Sequence, residues 1–151
     1  MKNENLSNGT SDARQILFHG GLMIFLSLMS GFTVYFALAP RMALSSHTVG
    51  LLQGAILIAI AGAWHLLNAS PKYLKILKYT LLIGFYGNWI CYLLVGLWSA
   101  GKANYPIFGK DMPEGAAPWQ DITVTVVGYL SGLILVSAVL IAWAACKKNK
   151  E

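Results

Sequence analysis

The chain has 151 residues, of which 56% are hydrophobic and only 11% are charged, and its formal net charge is +5. An ordinary soluble domain carries about 25% charged residues, so this composition excludes that class and predicts one membrane domain. The basic residues flank apolar stretches and do not form a face with interleaved aromatic residues. Membrane topology therefore explains the positive charge better than nucleic-acid binding does.

Four long apolar segments predict an all-α integral membrane protein, built as a four-helix bundle. As helices, they are long enough to cross a hydrocarbon core of about 30 Å. The predicted spans cover residues 14–39, 47–68, 75–99 and 122–145, within one domain over residues 14–146. The polar residues 1–13 are predicted to be a flexible tail, and residues 147–151 a basic tail.

Three links join the predicted spans. The first, from Pro40 to His47, is short and polar, and Ser45 or Ser46 is expected to cap the second span. The second contains lysines at helical spacing, which are expected to extend toward lipid headgroups. These lysines are Lys72, Lys75 and Lys78. The third link, residues 100–121, is rich in glycine and proline and is predicted to be irregular.

Basic residues predict the orientation in the membrane. Four spans place both termini and the second link on one side. That side has eight basic residues: Lys2, Arg14, Lys72, Lys75, Lys78, Lys147, Lys148 and Lys150. The other side has three: Arg41, Lys102 and Lys110. Because cytoplasmic links carry the excess of Lys and Arg, we expect both termini to be cytoplasmic and His47 to face outward.

The distribution of acids and cysteines excludes several chemistries. No Asp or Glu lies between Asp12 and Asp111. Paired-carboxylate catalysis and a relay of intramembrane acids are therefore excluded within the first three spans. Cys91 and Cys146 fall inside or at the end of apolar spans. They are expected to be buried thiols, and they form no zinc-binding pattern.

Histidines are the candidate metal ligands. His47 begins the predicted second span at the membrane edge. A headgroup contact is the usual role of such a residue, and a metal ligand is the alternative. His19, beside Gly20 and near the cytoplasmic face, is expected to have a structural role. His65, beside Trp64, is expected to belong to the interfacial aromatic belt.

Polar residues beneath His47 suggest a pocket. Gln53 is predicted to lie about 9 Å below His47, and Tyr92 at a similar depth, with Asn88 one turn deeper. These residues could equally be polar contacts between helices, and Gly50 and Gly54 form a pattern that lets helices approach closely. His47 and Gln53 are about 120° apart on a helix. Both side chains could contribute to one site if that site lay between two neighbouring helices or at an interface between subunits.

Short motifs in a fixed order carry a family resemblance. The chain resembles the hydroxylaminobenzene mutases, small bacterial membrane enzymes that convert an arylhydroxylamine to an ortho-aminophenol. The resemblance covers about residues 16–145. It rests on Pro40 to His47, Gly54, Tyr86-Gly87-Asn88-Trp89, Leu97-Trp98-Ser99-Ala100-Gly101 and Pro106-Ile107.

The chain is also similar, more distantly, to styrene oxide isomerase, through the stretch from His19 to Phe25. That resemblance implies a homotrimer with haem b at subunit interfaces, in which His47 is the axial ligand and Gln53, Asn88 and Tyr92 belong to the pocket. Gln53 replaces an asparagine of that family, and the short first link is typical of the mutases. Both departures favour the mutase.

These observations lead to a functional hypothesis. The chain is predicted to be an isomerase of the bacterial inner membrane that rearranges an aromatic hydroxylamine by Lewis-acid haem catalysis. Tyr92, Asn88 and Gln53 are the predicted catalytic residues, and His47, Gly50 and Gly54 the predicted haem contacts. Epoxide-to-aldehyde rearrangement is one alternative. Another is a protein without enzymatic activity, either a haem electron carrier or a small exporter.

Overall fold

The computed structural model describes residues 2–104 and 112–147, with side chains described for residues 10–104 and 112–145. The described chain consists of four long helices and three short 3-10 turns. The helices are α1 (Lys2–Gly31), α2 (Pro40–Ala63), α3 (Pro71–Trp98) and α4 (Pro118–Lys147). The 3-10 turns are Phe32–Tyr35, Trp64–Leu66 and Lys102–Asn104.

Each long helix has the length and composition to cross a membrane. The four candidate spans are 26 to 28 residues long, and a helix needs about 20 apolar residues to cross the hydrocarbon core. Large apolar side chains on the outside of the molecule, such as Leu133 and Val139 on α4, are more than half exposed. This surface suits lipid and not water. The predicted all-α, four-span membrane protein is confirmed.

Three helices begin earlier than predicted, and each begins at a proline. Pro40, Pro71 and Pro118 are the first residues of α2, α3 and α4. Proline suits the first turn because the amide proton that it lacks has no helical acceptor there. The prediction had placed these starts after the polar residues that follow each proline.

The stretch from Pro40 to His47 is therefore helix, and the prediction of a polar link there is wrong. Ser45 Oγ donates to Arg41 O at 2.9 Å and Ser46 Oγ to Ala43 O at 2.8 Å. Hydroxyls bonded to the preceding turn can remain inside a helix. Neither serine is an N-cap, and His47 lies seven residues, about 10 Å, inside α2.

The N-terminal region also differs from the prediction. Helix α1 begins at Lys2, so residues 2–13 are helical and not an irregular tail. Asp12 forms an ion pair with Lys78 Nζ at 2.5 Å, and Gln15 Oε1 accepts a bond from the same nitrogen at 2.8 Å. Lys78 is buried, so it does not extend to lipid headgroups as predicted. The pair connects the beginning of α1 to α3.

Small residues set the packing of the first three helices. A Cβ added at Gly20 would lie 3.0 Å from Gly54 O, which places the α1 and α2 backbones in direct contact. A Cβ at Gly96 would lie 2.6 Å from Ala43 N, so α2 and α3 are equally close. Such small residues let membrane helices approach closely. Helix α4 packs along α3, where Ser131 faces Gly87.

Two parts of the prediction fall on undescribed residues. The predicted irregular link includes residues 105–111, which lie outside the described chain, as does the basic tail beyond Lys147. The side chain of Cys146 also lies outside the described residues. Cys91 is buried, as expected, and its Sγ donates to Val124 O at 3.4 Å.

Candidate active site

His47 is held on α2 by a contact with α1. Its Nδ1 lies 2.7 Å from the carbonyl oxygen of Ser27, and a Cβ added at Gly31 would be only 3.1 Å from the same nitrogen. A carbonyl oxygen can only accept, so Nδ1 must carry the proton. In the neutral imidazole Nε2 then keeps its lone pair, and it makes no hydrogen bond within the described chain. His47 therefore presents an oriented, partly exposed imidazole whose Nε2 carries no proton.

Gly50 and Gly54 face other helices. A Cβ at Gly50 would overlap Ser27 Oγ and lie 2.6 Å from Trp89 Cδ1, and one at Gly54 would lie 2.6 Å from Ile24 Cγ1. Their surfaces are thus covered by α1 and α3 within one chain. The predicted contact of these glycines with a cofactor is incompatible with this packing. Their role here is the alternative one, close approach of helices.

Tyr92 and Asn88 line a cavity between α3 and α4. Its volume is about 180 Å³. The lining residues are Asn88, Tyr92, Asn104, Val124, Thr125, Gly128 and Tyr129. Two tyrosines, two asparagines and a threonine thus surround a space of the size of a small aromatic molecule. The structure brings Asn88 and Tyr92 together, as their spacing on one helix predicts.

His47 and Tyr92 lie at the same level along the helices. Helices α2 and α3 are antiparallel and meet where Ala43 faces Gly96 and where Gly50 faces Trp89. On α2, His47 lies about midway between Ala43 and Gly50. On α3, Tyr92 lies about midway between Trp89 and Gly96. Gln53 is six residues, about 9 Å, farther along α2 than His47. The prediction that Gln53 and Tyr92 share a depth is therefore wrong, because α2 begins at Pro40.

His47 and Tyr92 nevertheless lie on opposite sides of the α2–α3 contact. Tyr92 and Tyr86 are three residues to either side of Trp89, so they point about 120° apart on α3. Tyr86 OH lies 3.2 Å from His19 Nδ1, which identifies its side as the one that faces α1. His47 also contacts α1. Tyr92 is on the other side, so a single chain does not unite His47 with the α3–α4 cavity.

Gln53 lies on the side of α2 away from His47, by the same helical rotation of about 120°. Its side chain is buried, with 6% of its surface exposed. Its Oε1 atom has no hydrogen-bond partner among the described residues. An unpaired amide oxygen at membrane depth is costly. Gln53 Oε1 is therefore an unpaired polar atom enclosed among the helices of the described chain.

The remaining histidines fit structural roles. His19 is half-buried and contacts Tyr86, as expected for a residue that joins α1 to α3. His65 is exposed in the 3-10 turn after α2, a position that suits the membrane interface. Within the described part of the chain, no three His, Cys, Asp or Glu side chains form a group that could hold a metal ion.

Sequence comparisons identify the group to which this chain is related. The family described as styrene oxide isomerase matches residues 12–146. The chain belongs to the styrene oxide isomerase family. Two curated relatives from Ectopseudomonas oleovorans are also similar. Hydroxylaminobenzene mutase HabB is 32% identical over 143 residues, which cover 92% of this chain and 87% of the relative. Hydroxylaminobenzene mutase HabA is 34% identical over 110 residues, which cover 72% and 80%.

Membership of the styrene oxide isomerase family makes this protein an enzyme, an isomerase. The predicted resemblance is confirmed, and the alternatives without enzymatic activity are not favoured. No solved structure matches the chain.

Three polar residues of the cavity in this styrene oxide isomerase family member were not predicted from the sequence. Asn104, Thr125 and Tyr129 line the cavity with Asn88 and Tyr92. Asn104 lies in a link rich in glycine and proline, and the other two lie in an apolar span where single polar residues are common. A weak signal was present, since Thr125 and Tyr129 are four residues apart and therefore share a helix face.

Proposed function

We propose that this chain is a membrane mutase that converts an arylhydroxylamine to an ortho-aminophenol, with haem b held by His47. The names of the two curated relatives support the substrate class. The observation that carries the cofactor proposal is the 2.7 Å contact between His47 Nδ1 and Ser27 O. This contact orients the ring and leaves Nε2 as the ligating atom, the arrangement typical of metal-binding histidines.

The residues of the chain fit such a group. His47 is half-buried at membrane depth, and its contact with a backbone carbonyl fixes the tautomer and the orientation of the ring. When bound, haem iron supplies a Lewis acid that withdraws electron density from the oxygen of the N–O bond. Tyr92 donates a hydrogen bond to the departing oxygen or to the amine, and Asn88 and Gln53 orient the substrate.

The rearrangement is balanced without an external oxidant or reductant. The N–O bond breaks and a C–O bond forms at the ortho carbon. That carbon loses a proton, and the nitrogen gains one. An apolar surrounding favours this outcome, because free water would capture the electron-deficient ring at other positions.

We further propose that the complete site lies between subunits of a homotrimer. His47 faces the α1 side of the α2–α3 contact, whereas Tyr92 and the cavity lie on the other side. A neighbouring copy can place its cavity against His47, and cyclic symmetry then repeats the site at each interface. The number of three subunits is what the family resemblance implies.

For the location, we propose the bacterial inner membrane with both termini in the cytoplasm. The distribution of basic residues, eight against three, supports this orientation. His47 then lies nearer the outer face, because α2 begins on that side.

Epoxide-to-aldehyde rearrangement is the second candidate function. The match of the family described as styrene oxide isomerase to residues 12–146 favours it. The same Lewis acid would act on the epoxide oxygen. The two candidates therefore share a site and differ in substrate.

The test combines spectra and products. The protein is expressed with excess haem, purified in detergent, and incubated with phenylhydroxylamine and, separately, with styrene oxide. We expect a Soret band, ortho-aminophenol from the first substrate and little aldehyde from the second. His47→Ala should remove the Soret band, whereas His65→Ala, the matched control at an exposed histidine, should retain it. A wild-type protein without a Soret band would refute the haem proposal.

A further inference from the structure

One polar pair in the α3–α4 cavity has unused hydrogen-bonding capacity. Asn104 Nδ2 donates to Thr125 Oγ1 at 2.7 Å. Because the threonine oxygen accepts this bond, its own proton is available to another acceptor. Other hydroxyls on α4 use that proton within the helix: Thr123 Oγ1 donates to Trp119 O at 2.7 Å. Thr125 makes no such bond among the described residues, although it lines the cavity.

Acceptors are also available in the same cavity. The side-chain oxygen of Asn104 accepts no hydrogen bond within the described ranges, and the amide of Asn88 makes none there either. Both residues are half-buried at the cavity wall. A half-buried polar group without a partner is costly. Three polar side chains therefore offer at least one donor and two acceptors to whatever occupies the cavity.

The backbone before Asn104 is fixed, so this arrangement is built into the fold. Gly101 N donates to Asp121 Oδ1 at 2.6 Å, which fastens the link to the first turn of α4. Gly101 has a φ of +76°, and a Cβ there would lie 2.9 Å from Val124 Cγ1. Only glycine suits both conditions. The following 3-10 turn, Lys102–Asn104, then places Asn104 beside Thr125.

We propose that Asn88, Asn104 and Thr125 bind the polar group of the substrate and select one that carries a donor and an acceptor on adjacent atoms. An arylhydroxylamine has N–H and O–H donors beside oxygen and nitrogen acceptors. An epoxide has only an acceptor and leaves the two amide oxygens unpaired. A site built to pair with such donors rejects an analogue that lacks them. Tyr92 and Tyr129 flank the aromatic ring. This inference rests on the proposed function and assigns its substrate choice.

The test compares Thr125→Val with Thr123→Val. Both changes replace a hydroxyl by a methyl group of similar size on the same helix, but only Thr125 lines the cavity. We expect Thr125→Val to lower kcat/KM for phenylhydroxylamine by about tenfold, the effect of one hydrogen bond, mainly through KM. Asn104→Leu should lower it further. Thr123→Val should behave as the wild type.

Turnover of styrene oxide distinguishes a change in substrate preference from a general loss of activity. We expect Asn104→Leu, which removes an acceptor that only the hydroxylamine can use, to lower styrene oxide turnover less than phenylhydroxylamine turnover, so the ratio of the two activities shifts. Thr125→Val removes a donor that either substrate's oxygen can accept, and it should lower both activities. Equal losses for both substrates in Asn104→Leu, or a loss in Thr123→Val as large as that in Thr125→Val, would overturn the inference. Calorimetric binding of ortho-aminophenol provides a readout without turnover, and Thr125→Val should weaken it by about tenfold.

The same measurements separate the two proposals. If the wild type converts neither substrate, the proposed function fails. The selection inference then stands only if ortho-aminophenol still binds more weakly to Thr125→Val than to Thr123→Val. Equal binding by both variants would overturn it as well.

Discussion

Gly50 lies where α1, α2 and α3 meet, and its lack of a side chain decides how closely they approach. Ser27 Oγ and Trp89 occupy the space that a Cβ would take. Ser27 also provides the carbonyl that orients His47. The packing at Gly50 and the direction of the histidine ring are therefore coupled through one residue of α1.

Gly50→Ala should consequently destabilise the protein by about 1–3 kcal/mol, as expected for overpacking. The free energy of unfolding in mixed micelles measures the effect. Gly62→Ala is the matched control, because nothing lies within 4 Å of its added Cβ and alanine favours helix. Similar stabilities of the two variants would contradict the packing described for Gly50.

The predicted site residues differ in how far local sequence could determine them. Asn88 and Tyr92 are four residues apart on one helix, so their common cavity followed from helical spacing. The Asn104–Thr125 contact joins residues 21 positions apart. The pattern of residues in either segment does not predict this contact. The catalytic roles of Gln53, Asn88 and Tyr92 and the ligand role of His47 stay predictions.

At the scale of elements, the beginning of α1 shows how a charged pair can extend a helix beyond the membrane. The residues before Arg14 are polar, and composition alone favours a flexible tail. In the structure Asp12 and Gln15 reach Lys78 of α3. This tertiary contact stabilises the helix around residue 12, because a buried ammonium group needs a partner.

Removal of either partner should destabilise the α1–α3 contact unequally. Asp12→Asn leaves a buried charge on Lys78 and should cost up to about 3–5 kcal/mol, less any relief from movement of the lysine to the interface. Lys78→Met removes the charge and should cost less. The double variant should be more stable than the sum of the single effects indicates. Equilibrium unfolding of the four proteins measures this coupling, with Lys75→Met as the exposed control.

Helix boundaries were the least accurate part of the sequence interpretation. Polar residues after Pro40 suggested a link, but Ser45 and Ser46 satisfy their hydroxyls within the helix. The hydropathy of a residue reports its environment and not its backbone conformation. The error had a consequence for the site, since it placed His47 at the membrane edge and not about 10 Å inside the helix.

For the whole molecule, the main feature is the separation of His47 from the cavity across the α2–α3 contact. The external faces are apolar, and α4 has the smallest buried share of its span, 17%. Such a surface can contact lipid or a second copy. Assembly is therefore the step that could bring the two halves of the proposed site together.

Mixed assemblies test this arrangement. His47→Ala and Tyr92→Phe are each expected to lack most activity, whereas their coexpression should restore about one quarter of the sites under random mixing. Restoration follows because an interface between one variant of each kind can contain both intact side chains. As a control, His47→Ala is mixed with a variant that carries both His47→Ala and Tyr92→Phe. This mixture contains no intact His47 and should restore nothing. No restoration in the first mixture would show that the site does not combine residues from two copies.

The sequence by itself determined the membrane class, the four spans and the polar residues within them, because hydropathy and composition depend only on the order of residues. The motifs also sufficed to identify the family. Only the tertiary structure decided that Ser27 O orients His47, that Gly50 and Gly54 are covered by neighbouring helices, and that Asn104 joins Thr125. These contacts depend on how helices pack, and packing brings together side chains that are far apart in the chain.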